Sequence, residues 1–463
     1  MTGSGTDPLK PSAPEQPPPP STRRGRYGRR CSVAAGACGA LALAACVGAT
    51  AVWRGRRTAA LGDSLFGTAV VCGVVAALCG VLLVARPWAA TARRVWLTSV
   101  ACTFVCLVAM VVCWSVILRD EGRGRAAGSI VRDERSTRDY LSRAMPGGRD
   151  PTVIPTGVYV ESIEFTSSNN VAVSGYVWQR YPPDTPKDLT RGVVFPEADQ
   201  SYPEDRDIAY ERTAADGTKT TGWYFSATFR QRFDYRTYPL DRQNVWLRMW
   251  QPDFDKDAVL VPDFSSYPPW IDKDLLGTDP QLVSGEWHPM YTAYSYARYA
   301  YPSSFGLKPY AGPVSYPDLY FNMVYERNYT GAVVGNLVPV ALIALVVFAS
   351  LFVTSRDQKF ELFGSNTFAV MAFLVTMLLV VVVDHNEIRS VSADGSVMYM
   401  EYVFFGLYLL LLLVTANGVL IALDRPGEIL TKQGNLPAKA LYWPLLAVIV
   451  LVATVAVFFG VGW

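Results

Sequence analysis

The sequence has only two histidines, His288 and His385, and it contains neither an HExxH nor a GxSxG motif. All eight cysteines lie in apolar runs, none follows Cys113, and no two of them form a CxxC pair. Hydrolases, metal sites and disulfide frameworks need such groups at set spacings, so no enzyme, catalytic residue, metal or cofactor is expected. The net charge of +2 comes without a basic stripe, which excludes nucleic acid as an expected partner.

Long apolar runs are what the sequence has in quantity, and hydrophobic residues make up 51% of it. Seven runs are each long enough for a helix, rising about 1.5 Å per residue, to cross a bilayer. They cover residues 31–53, 63–86, 95–118, 331–353, 366–383, 398–423 and 441–462. The sequence therefore predicts a multi-pass protein of the cell membrane, with the lipid bilayer as a partner.

Residues 1–30 begin with a Pro/Ser/Gly-rich tract and end with five arginines, which predicts a disordered tail. The short segments on the same side of the membrane as this tail carry more lysine and arginine than those on the other side. We therefore expect a cytoplasmic N-terminus, with residues 119–330 and the C-terminus extracellular or periplasmic. Residues 31–118 would form three N-terminal transmembrane helices. For the first of them a lipoprotein signal ending at Cys46 is the alternative.

Residues 119–330 hold no apolar run of membrane-spanning length, and their strand-like runs alternate in hydrophobicity. Residues 119–150 are predicted as a linker and 151–328 as an antiparallel β-sandwich. Val158–Ile163 and Val171–Trp178 flank a Ser-Asn turn, and Asp216-Gly217 suits a type I′ hairpin turn. The expected fold class is an α+β membrane protein whose sandwich precedes a four-helix bundle at 329–463 and follows the three extra helices.

The segment Asp234–Gln243 is polar and aromatic and lies between two strand-like runs, Trp223–Phe229 and Val245–Met249. Tyr238-Pro239 within it is a candidate for a cis peptide bond. On local pattern alone the segment is an ordinary connection between strands.

This segment also resembles the signature loop of pentameric ligand-gated ion channels, the Cys-loop receptor superfamily. The family pattern is an acid, an aromatic-Pro-apolar-Asp core and a glutamine. It is matched by Asp234, Tyr238, Pro239, Leu240, Asp241 and Gln243. The two cysteine positions of the family fall at Gln231 and Val245, so the resemblance is to the bacterial branch that lacks the loop disulfide.

Further segments match the family in the same order along the chain. They are Thr156-Gly157-Val158-Tyr159, Phe195-Pro196-Glu197, Arg327 and Pro339. The resemblance runs from about residue 151 to the C-terminus and leaves residues 1–150 without a counterpart.

The resemblance implies an extracellular ligand-binding domain and a homopentamer whose pore passes permeant ions. A small-molecule ligand or a proton would open this pore. It implies that Tyr238, Pro239, Leu240, Asp241 and Arg327 couple binding to gating. Asp241 and Arg327 would pair, and Tyr238 to Leu240 would lie near the connection Asp384–Val397. The alternatives are a solvated surface ion pair of little energetic weight and, for the whole protein, a non-conducting receptor.

The second of the last four helices, about 364–384, would line the pore by the same resemblance. Thr367, Met371, Leu374, Leu378 and Val381 recur at helical spacing and form one stripe, with Glu361 and Asp384 at its two ends. A ring of Leu374 side chains would close the pore by dewetting, and the carboxylates would favour cations. The alternative is a stripe that faces lipid or neighbouring helices, because any face of so apolar a helix gives a similar pattern.

Tyr202, Trp270, Tyr294 and Tyr299 are the candidate ligand-binding residues. The resemblance places an aromatic box at the subunit interface, where such rings would hold an amine by cation–π attraction. The alternative is that the many tyrosines of this region cover a sheet edge. His288 is either a proton sensor or a structural residue.

Overall fold

The computed structural model describes residues 21–55, 59–85, 91–119, 126–145, 151–199, 208–253, 256–270, 272–299, 306, 316–353, 367–392, 395–422 and 435–460. These residues fall into two compact units. The first comprises 1–115, 350–370 and 413–463, and the second comprises 116–349 and 371–412, as far as their residues are described.

The helices are α1 (Ser21–Gly55), α2 (Ala59–Ala85), α3 (Ala92–Arg119), α4 (Glu134–Ala144), α5 (Tyr329–Ala332), α6 (Val338–Val353), α7 (Thr367–Arg389), α8 (Tyr399–Ala422) and α9 (Leu436–Phe459). A π-helical segment, Val333–Leu337, joins α5 to α6. The strands are β1 (Ser129–Val131), β2 (Thr152–Ser167), β3 (Asn170–Tyr181), β4 (Ile208–Thr213), β5 (Lys219–Arg230), β6 (Arg242–Met249), β7 (Ala258–Pro262), β8 (Trp287–Ala297) and β9 (Asp318–Arg327).

Seven helical stretches of the described chain are long and apolar enough to cross a membrane. They are Ser32–Thr50, Ser64–Ala85, Ala92–Arg119, Tyr329–Val353, Ala369–Arg389, Tyr399–Ile421 and Leu436–Phe459. Each corresponds to one of the seven predicted runs, so the chain fits a multi-pass membrane protein. The predicted tail was too long, because α1 begins at Ser21 and residues 21–30 continue the helix ahead of the apolar run.

The first unit packs the last helix against the N-terminal ones. The Ser99 hydroxyl of α3 donates a buried hydrogen bond of 2.6 Å to the Ala440 carbonyl of α9. The rings of Phe66 in α2 and Phe459 in α9 lie 4.9 Å apart. These contacts place α9 against the extra helices, and Lys439 Nζ of α9 also lies 4.5 Å from the Phe352 ring of α6. The bundle of α9 with the three preceding spans stays a prediction.

The second unit contains two β-sheets that follow the period-2 patterns of the sequence. One has the strand order β1-β8-β9-β6 and the other β4-β5-β3-β2-β7. Side chains from the two sheets meet, since Phe165 of β2 stacks on Trp287 of β8 at 4.4 Å. The Tyr294 hydroxyl of β8 accepts the Val158 amide N–H of β2 at 3.0 Å. The predicted Asp216-Gly217 turn joins β4 to β5, but its type is not the predicted I′, because only Gly217, with a φ of 85°, has the positive φ that type I′ requires of both residues.

Two predictions about this unit were wrong. Residues 119–150 are more than a linker, because β1 and α4 form within them and β1 pairs with β8. The sheets are also not purely antiparallel, because β2 pairs with β7 in parallel from Thr152 to Thr156. The chain crosses from β6 in one sheet to β7 in the other, and a crossover permits parallel pairing where a hairpin does not.

Candidate functional site

The segment Asp234–Gln243 is held closed by two glutamine side chains. The Gln243 amide accepts the Asp234 N–H at 3.1 Å and donates to the Asp234 carbonyl and to Asp241 Oδ2, both at 2.9 Å. The Gln231 amide donates to the Trp246 carbonyl and accepts the Trp246 N–H at 3.2 Å. Gln231 is one of the two positions where the resemblance places a cysteine, so hydrogen bonds close the loop here.

Tyr238 lies buried at the tip of this loop, and the Tyr238–Pro239 bond is cis, as the sequence indicated. The Tyr238 hydroxyl accepts a hydrogen bond of 3.3 Å from Asn336 Nδ2, in the segment between α5 and α6. Burial raises the pKa of the Tyr238 phenol, so the group stays a neutral hydrogen-bonding partner. The loop therefore contacts the first of the last four membrane-length helices.

Asp241 and Arg327 form a buried ion pair at the base of the loop. Arg327 Nε donates to Asp241 Oδ1 at 2.8 Å and Nη2 donates to Oδ2 at 3.1 Å, with side chains 5% and 0% exposed. Arg327 Nη1 also pairs with Glu286, and its guanidinium lies 4.2 Å from the Trp287 ring. Burial alone would lower the pKa of Arg327, but Asp241 and Glu286 outweigh it and raise it.

The same loop reaches the third of the last four membrane-length helices. The amide N–H of Tyr399, the first residue of α8, donates to the Arg236 carbonyl at 2.8 Å. The resemblance places the loop beside the connection Asp384–Val397, and the hydrogen bond falls two residues beyond that connection. One short loop thus touches the start of α8 and the chain before α6.

A second polar cluster, which the sequence did not predict, joins α7 to α8. Glu401 is 3% exposed, and its Oε1 lies 3.1 Å from His385 Nε2. Its Oε2 accepts from Arg389 Nη1 at 3.0 Å and from the Met398 amide N–H at 2.7 Å. The signal for this cluster in the sequence was Glu401 itself, which stands at the start of an apolar run. A carboxylate that is buried there requires hydrogen-bonding or charged partners.

The chain itself covers two residues of the predicted stripe on α7. Leu374 is 2% exposed and Val381 is fully buried, so other parts of the same chain occupy the space in front of these two side chains. Leu378 is exposed, Met371 and Asp384 are half-buried, and Glu361 and the side chain of Thr367 lie outside the described residues. The face of α7 that points away from the chain carries Ala372, Thr376, Leu379, Val383 and Asn386.

Of the residues named for the aromatic box, Tyr294 is removed from the surface, because it lies in the core. Trp270 is 83% exposed, whereas Tyr294 is 1% exposed and hydrogen-bonds Tyr267 in the core at 2.7 Å. Tyr299 is exposed, and Tyr202 lies outside the described residues. Tyr294 lies on the inward-facing side of β8, where alternation turns every second residue toward the other sheet.

Aromatic rings do surround a cation elsewhere in this unit, but that cation is an arginine side chain of the protein and not a ligand. The Arg248 guanidinium lies 5.1 Å from the Trp250 ring and 5.9 Å from the Tyr299 ring. It pairs with Glu197 and lies 3.8 Å from Asp318. Burial raises the pKa of Glu197, although Arg248 opposes that rise. In the sequence, the signal for this cluster was the alternation Trp246-x-Arg248-x-Trp250, which starts in β6 and ends one residue beyond it.

His288 is exposed on β8, where its register partner on β9 is Glu326. Among the described residues no group of three or more His, Cys, Asp or Glu side chains is arranged to hold a metal ion. No family model matches the chain. A search of curated proteins likewise finds no match for it.

Proposed function

We propose that the protein is a homopentameric ligand-gated ion channel of the cell membrane. In this proposal the two sheets form an extracellular or periplasmic β-sandwich, and the N-terminus lies in the cytoplasm. A small molecule or a proton acting on the sandwich opens a pore lined by α7. Residues 31–118 would be additional transmembrane helices packed on α9.

The observation that carries the proposal is the pair of contacts made by the segment Asp234–Gln243. Its Tyr238 meets Asn336 and its Arg236 carbonyl meets the Tyr399 N–H. A rigid loop that touches two membrane-length helices can transmit a displacement of the sheets to both of them. The buried pair of Asp241 and Arg327 keeps the loop attached to β9, which leads directly into α5.

The pore face in this proposal is the stripe of α7 that the chain leaves uncovered. It starts with Ala372 and Thr376, continues with Leu379 and Val383, and ends at Asn386. In a ring of five copies, Leu379 and Val383 would give adjacent apolar constrictions of the kind that gate by dewetting. Asp384 and Glu387 follow near the end of α7, and rings of carboxylates there would attract cations.

Reconstitution of the purified full chain in a planar bilayer tests the proposal. We expect unitary currents whose reversal potential in a KCl gradient follows the potassium potential. Asp384→Asn combined with Glu387→Gln should weaken that preference, and Glu326→Gln on β9 is the control that leaves it unchanged. Particles with fivefold symmetry viewed along the membrane normal should accompany the currents. A monomer or dimer without currents under any ligand or pH would overturn the proposal.

A non-conducting receptor is the second candidate, and one observation favours it. The last helix packs on the N-terminal helices through Ser99 and Phe66. This packing would give a signal from the binding domain a route into the extra helices and the cytoplasmic segments. Such a receptor would bind ligand and change the packing of α9 without passing current, which the same reconstitution distinguishes.

A further inference from the structure

A pocket of about 440 Å³ lies beside the first turns of α4, within the second unit. One wall carries Arg132, which follows β1, together with Arg135 and Arg138 of α4. The opposite wall carries Phe264 and Ser265, which follow β7. Pockets that bind small molecules have volumes of about 300 to 1,000 Å³, so this one has room for a small ligand.

The three arginines carry charge that the described part of the chain does not neutralise. All three side chains are exposed, and none of them forms an ion pair with a described residue. Arg138 Nε donates to the Glu134 carbonyl at 3.4 Å, which is a contact with the backbone and not with a charge. Arg135 and Arg138 are three residues apart, so they are neighbours on the surface of α4. Their guanidinium groups are therefore available to an anion in the pocket.

Two carboxylates also line the pocket, and one of them is engaged by the helix. Asp133 Oδ1 accepts hydrogen bonds from the N–H and the hydroxyl of Ser136, both at 2.7 Å. These hydrogen bonds cap α4 and lower the pKa of Asp133. Glu134 is exposed and has no ion pair in the described segments. Three arginines against two carboxylates leave the lining with a net charge of +1.

The arginine wall is fixed by contacts on the other side of α4. Thr137, Leu141 and Ala144 are buried, and they anchor the helix. The Tyr140 ring stacks on the Tyr296 ring of β8 at 5.0 Å. The backbone that carries the arginines is thus held in place before any ligand arrives, which lowers the entropic cost of binding.

The opposite wall is fixed as well. The Phe264 ring meets the Tyr294 ring of β8 edge-on at 5.7 Å. The Ser265 hydroxyl accepts from Arg180 Nη1 at 2.9 Å and donates to Asp263 Oδ1 at 2.8 Å. Phe264 is half-buried, so part of its ring is left as an apolar surface in the pocket.

The pocket is separate from the two polar clusters of the sheets described above. Strands β1 and β6 are opposite edges of the four-stranded sheet, so α4, which follows β1, is far from the Arg248 cluster on β6. Trp287 at one end of β8 is the register partner of Arg327, whereas Tyr140 stacks on Tyr296 near the other end. At about 3.3 Å per residue, these two ends of β8 are about 30 Å apart.

We propose that this pocket binds a small organic anion, whose carboxylate or phosphate group is held by Arg132, Arg135 and Arg138. A guanidinium offers two parallel N–H donors, which match the oxygens of either group. The organic part of the ligand packs on Phe264. The proposal does not rest on the proposed channel, because binding needs no ion flow and residues 126–145 have no counterpart in the family resemblance.

Isothermal titration calorimetry of the full chain in phosphatidylcholine nanodiscs tests the proposal. The probes are phenyl phosphate and benzoate, which share a ring and differ in the anionic group, and inorganic phosphate, which has no organic part. We expect phenyl phosphate or benzoate, whichever anionic group the arginines fit better, to bind more tightly than inorganic phosphate. The tighter of the two identifies the group that the site prefers.

Three variants test which charges are responsible. Arg135→Gln combined with Arg138→Gln should weaken binding about tenfold or more, the usual effect of losing hydrogen bonds between charged groups. Glu134→Gln removes a repelling carboxylate and should tighten binding about two- to fivefold. Arg143→Gln is the matched control, because Arg143 is an exposed arginine of α4 outside the pocket whose Nε donates to the Asp139 carbonyl. It should leave the affinity unchanged.

Absence of binding by all three anions at millimolar concentration would overturn the proposal. So would an equal loss of affinity in Arg143→Gln and the double variant, because the anion would then follow the charge of the whole unit. Binding of inorganic phosphate alone would refute an organic ligand. Should the double variant fail to fold, Glu134→Gln still decides, since an affinity that does not rise contradicts the site. Absence of currents would refute the channel and leave these results intact.

Discussion

Asp241 accepts two hydrogen bonds from Arg327, and neither side chain is more than 5% exposed. A buried carboxylate and guanidinium that meet in this way depend on each other, because removing one leaves the other charged and unpaired. The pair lies directly before α5, so the junction between the sheets and the helices depends on it.

Asp241→Asn should therefore destabilise the second unit by about 3–5 kcal/mol, the usual cost of breaking a buried pair from one side. Arg327→Gln should cost a similar amount. The matched control is Asp234→Asn, which breaks the exposed pair with Arg236 and should cost less than about 1 kcal/mol. Thermal unfolding in detergent, followed by tryptophan fluorescence, measures both. Equal shifts for the two aspartates would contradict the assigned role of Asp241.

The hydrogen bond from Tyr399 to the Arg236 carbonyl can be removed without disturbing the helix. Proline lacks the N–H and is well tolerated at the first position of a helix, which Tyr399 occupies. Tyr399→Pro should reduce the open probability at a saturating stimulus, because the loop no longer holds α8. Tyr399→Ala loses the same ring and keeps the N–H, so it isolates the contribution of the hydrogen bond. Identical single-channel behaviour of the two variants would show that the hydrogen bond does not couple loop and helix.

Cysteine labelling distinguishes the exposed face of α7 from its buried face. In a background with the eight native cysteines replaced, Thr376→Cys and Leu379→Cys should react with a charged methanethiosulfonate reagent, because a pore brings water to them. Leu374→Cys and Val381→Cys, on the same helix but buried, should react at least about tenfold more slowly, a difference of about 1.4 kcal/mol in accessibility. If Thr376 and Leu379 are also unreactive, this face lies in lipid and α7 does not line a pore.

Glu197 and Glu211 should give opposite dependences of stability on pH. Burial raises the pKa of Glu197 in spite of Arg248, so the folded state holds this proton more tightly than the unfolded chain. Its contribution is present at low pH and is lost as pH rises through the folded-state pKa. A hydrogen bond from Lys219 lowers the pKa of Glu211, whose contribution is present above the unfolded pKa and is lost as pH falls.

Melting temperatures from about pH 4 to 7 test this pair of carboxylates, since the range brackets ordinary glutamate titration. Wild type should lose stability relative to Glu197→Gln as the pH rises. Relative to Glu211→Gln, wild type should lose stability as the pH falls. If the two comparisons show the same trend with pH, the burial of Glu197 does not raise its pKa in the folded state.

The features that the sequence predicted well are those set by local pattern. Alternation placed Val245, Leu247 and Met249 on the buried side of β6, because a strand turns every second residue to the same face. The Asp216-Gly217 turn followed from the backbone preference of glycine. The seven membrane-length helices followed from the length of their apolar runs.

The features that the sequence did not predict depend on which neighbour covers a side chain. Helix α7 is apolar on all faces, so spacing alone could not tell that Leu374 is buried while Leu379 is exposed. Tyr294 and Tyr299 are close in a tyrosine-rich region, yet one is in the core and the other is exposed. Strand β1 has only three residues, too few to show a period. Each of these outcomes was decided by tertiary contacts.

The pairing of β1 with β8 has a consequence for biosynthesis. The Ser295 hydroxyl of β8 donates to the Ala127 carbonyl, which lies 168 positions earlier in the chain. During synthesis the short β1 segment therefore emerges long before the strand that it pairs with, and it must wait unpaired while β2 to β7 are made. Contacts between such distant positions form slowly, because a long loop has to close first. The edge formed by β1 is thus expected to be among the last parts of the unit to assemble, and a chain stalled before β8 would leave β1 open to capture by other polypeptides.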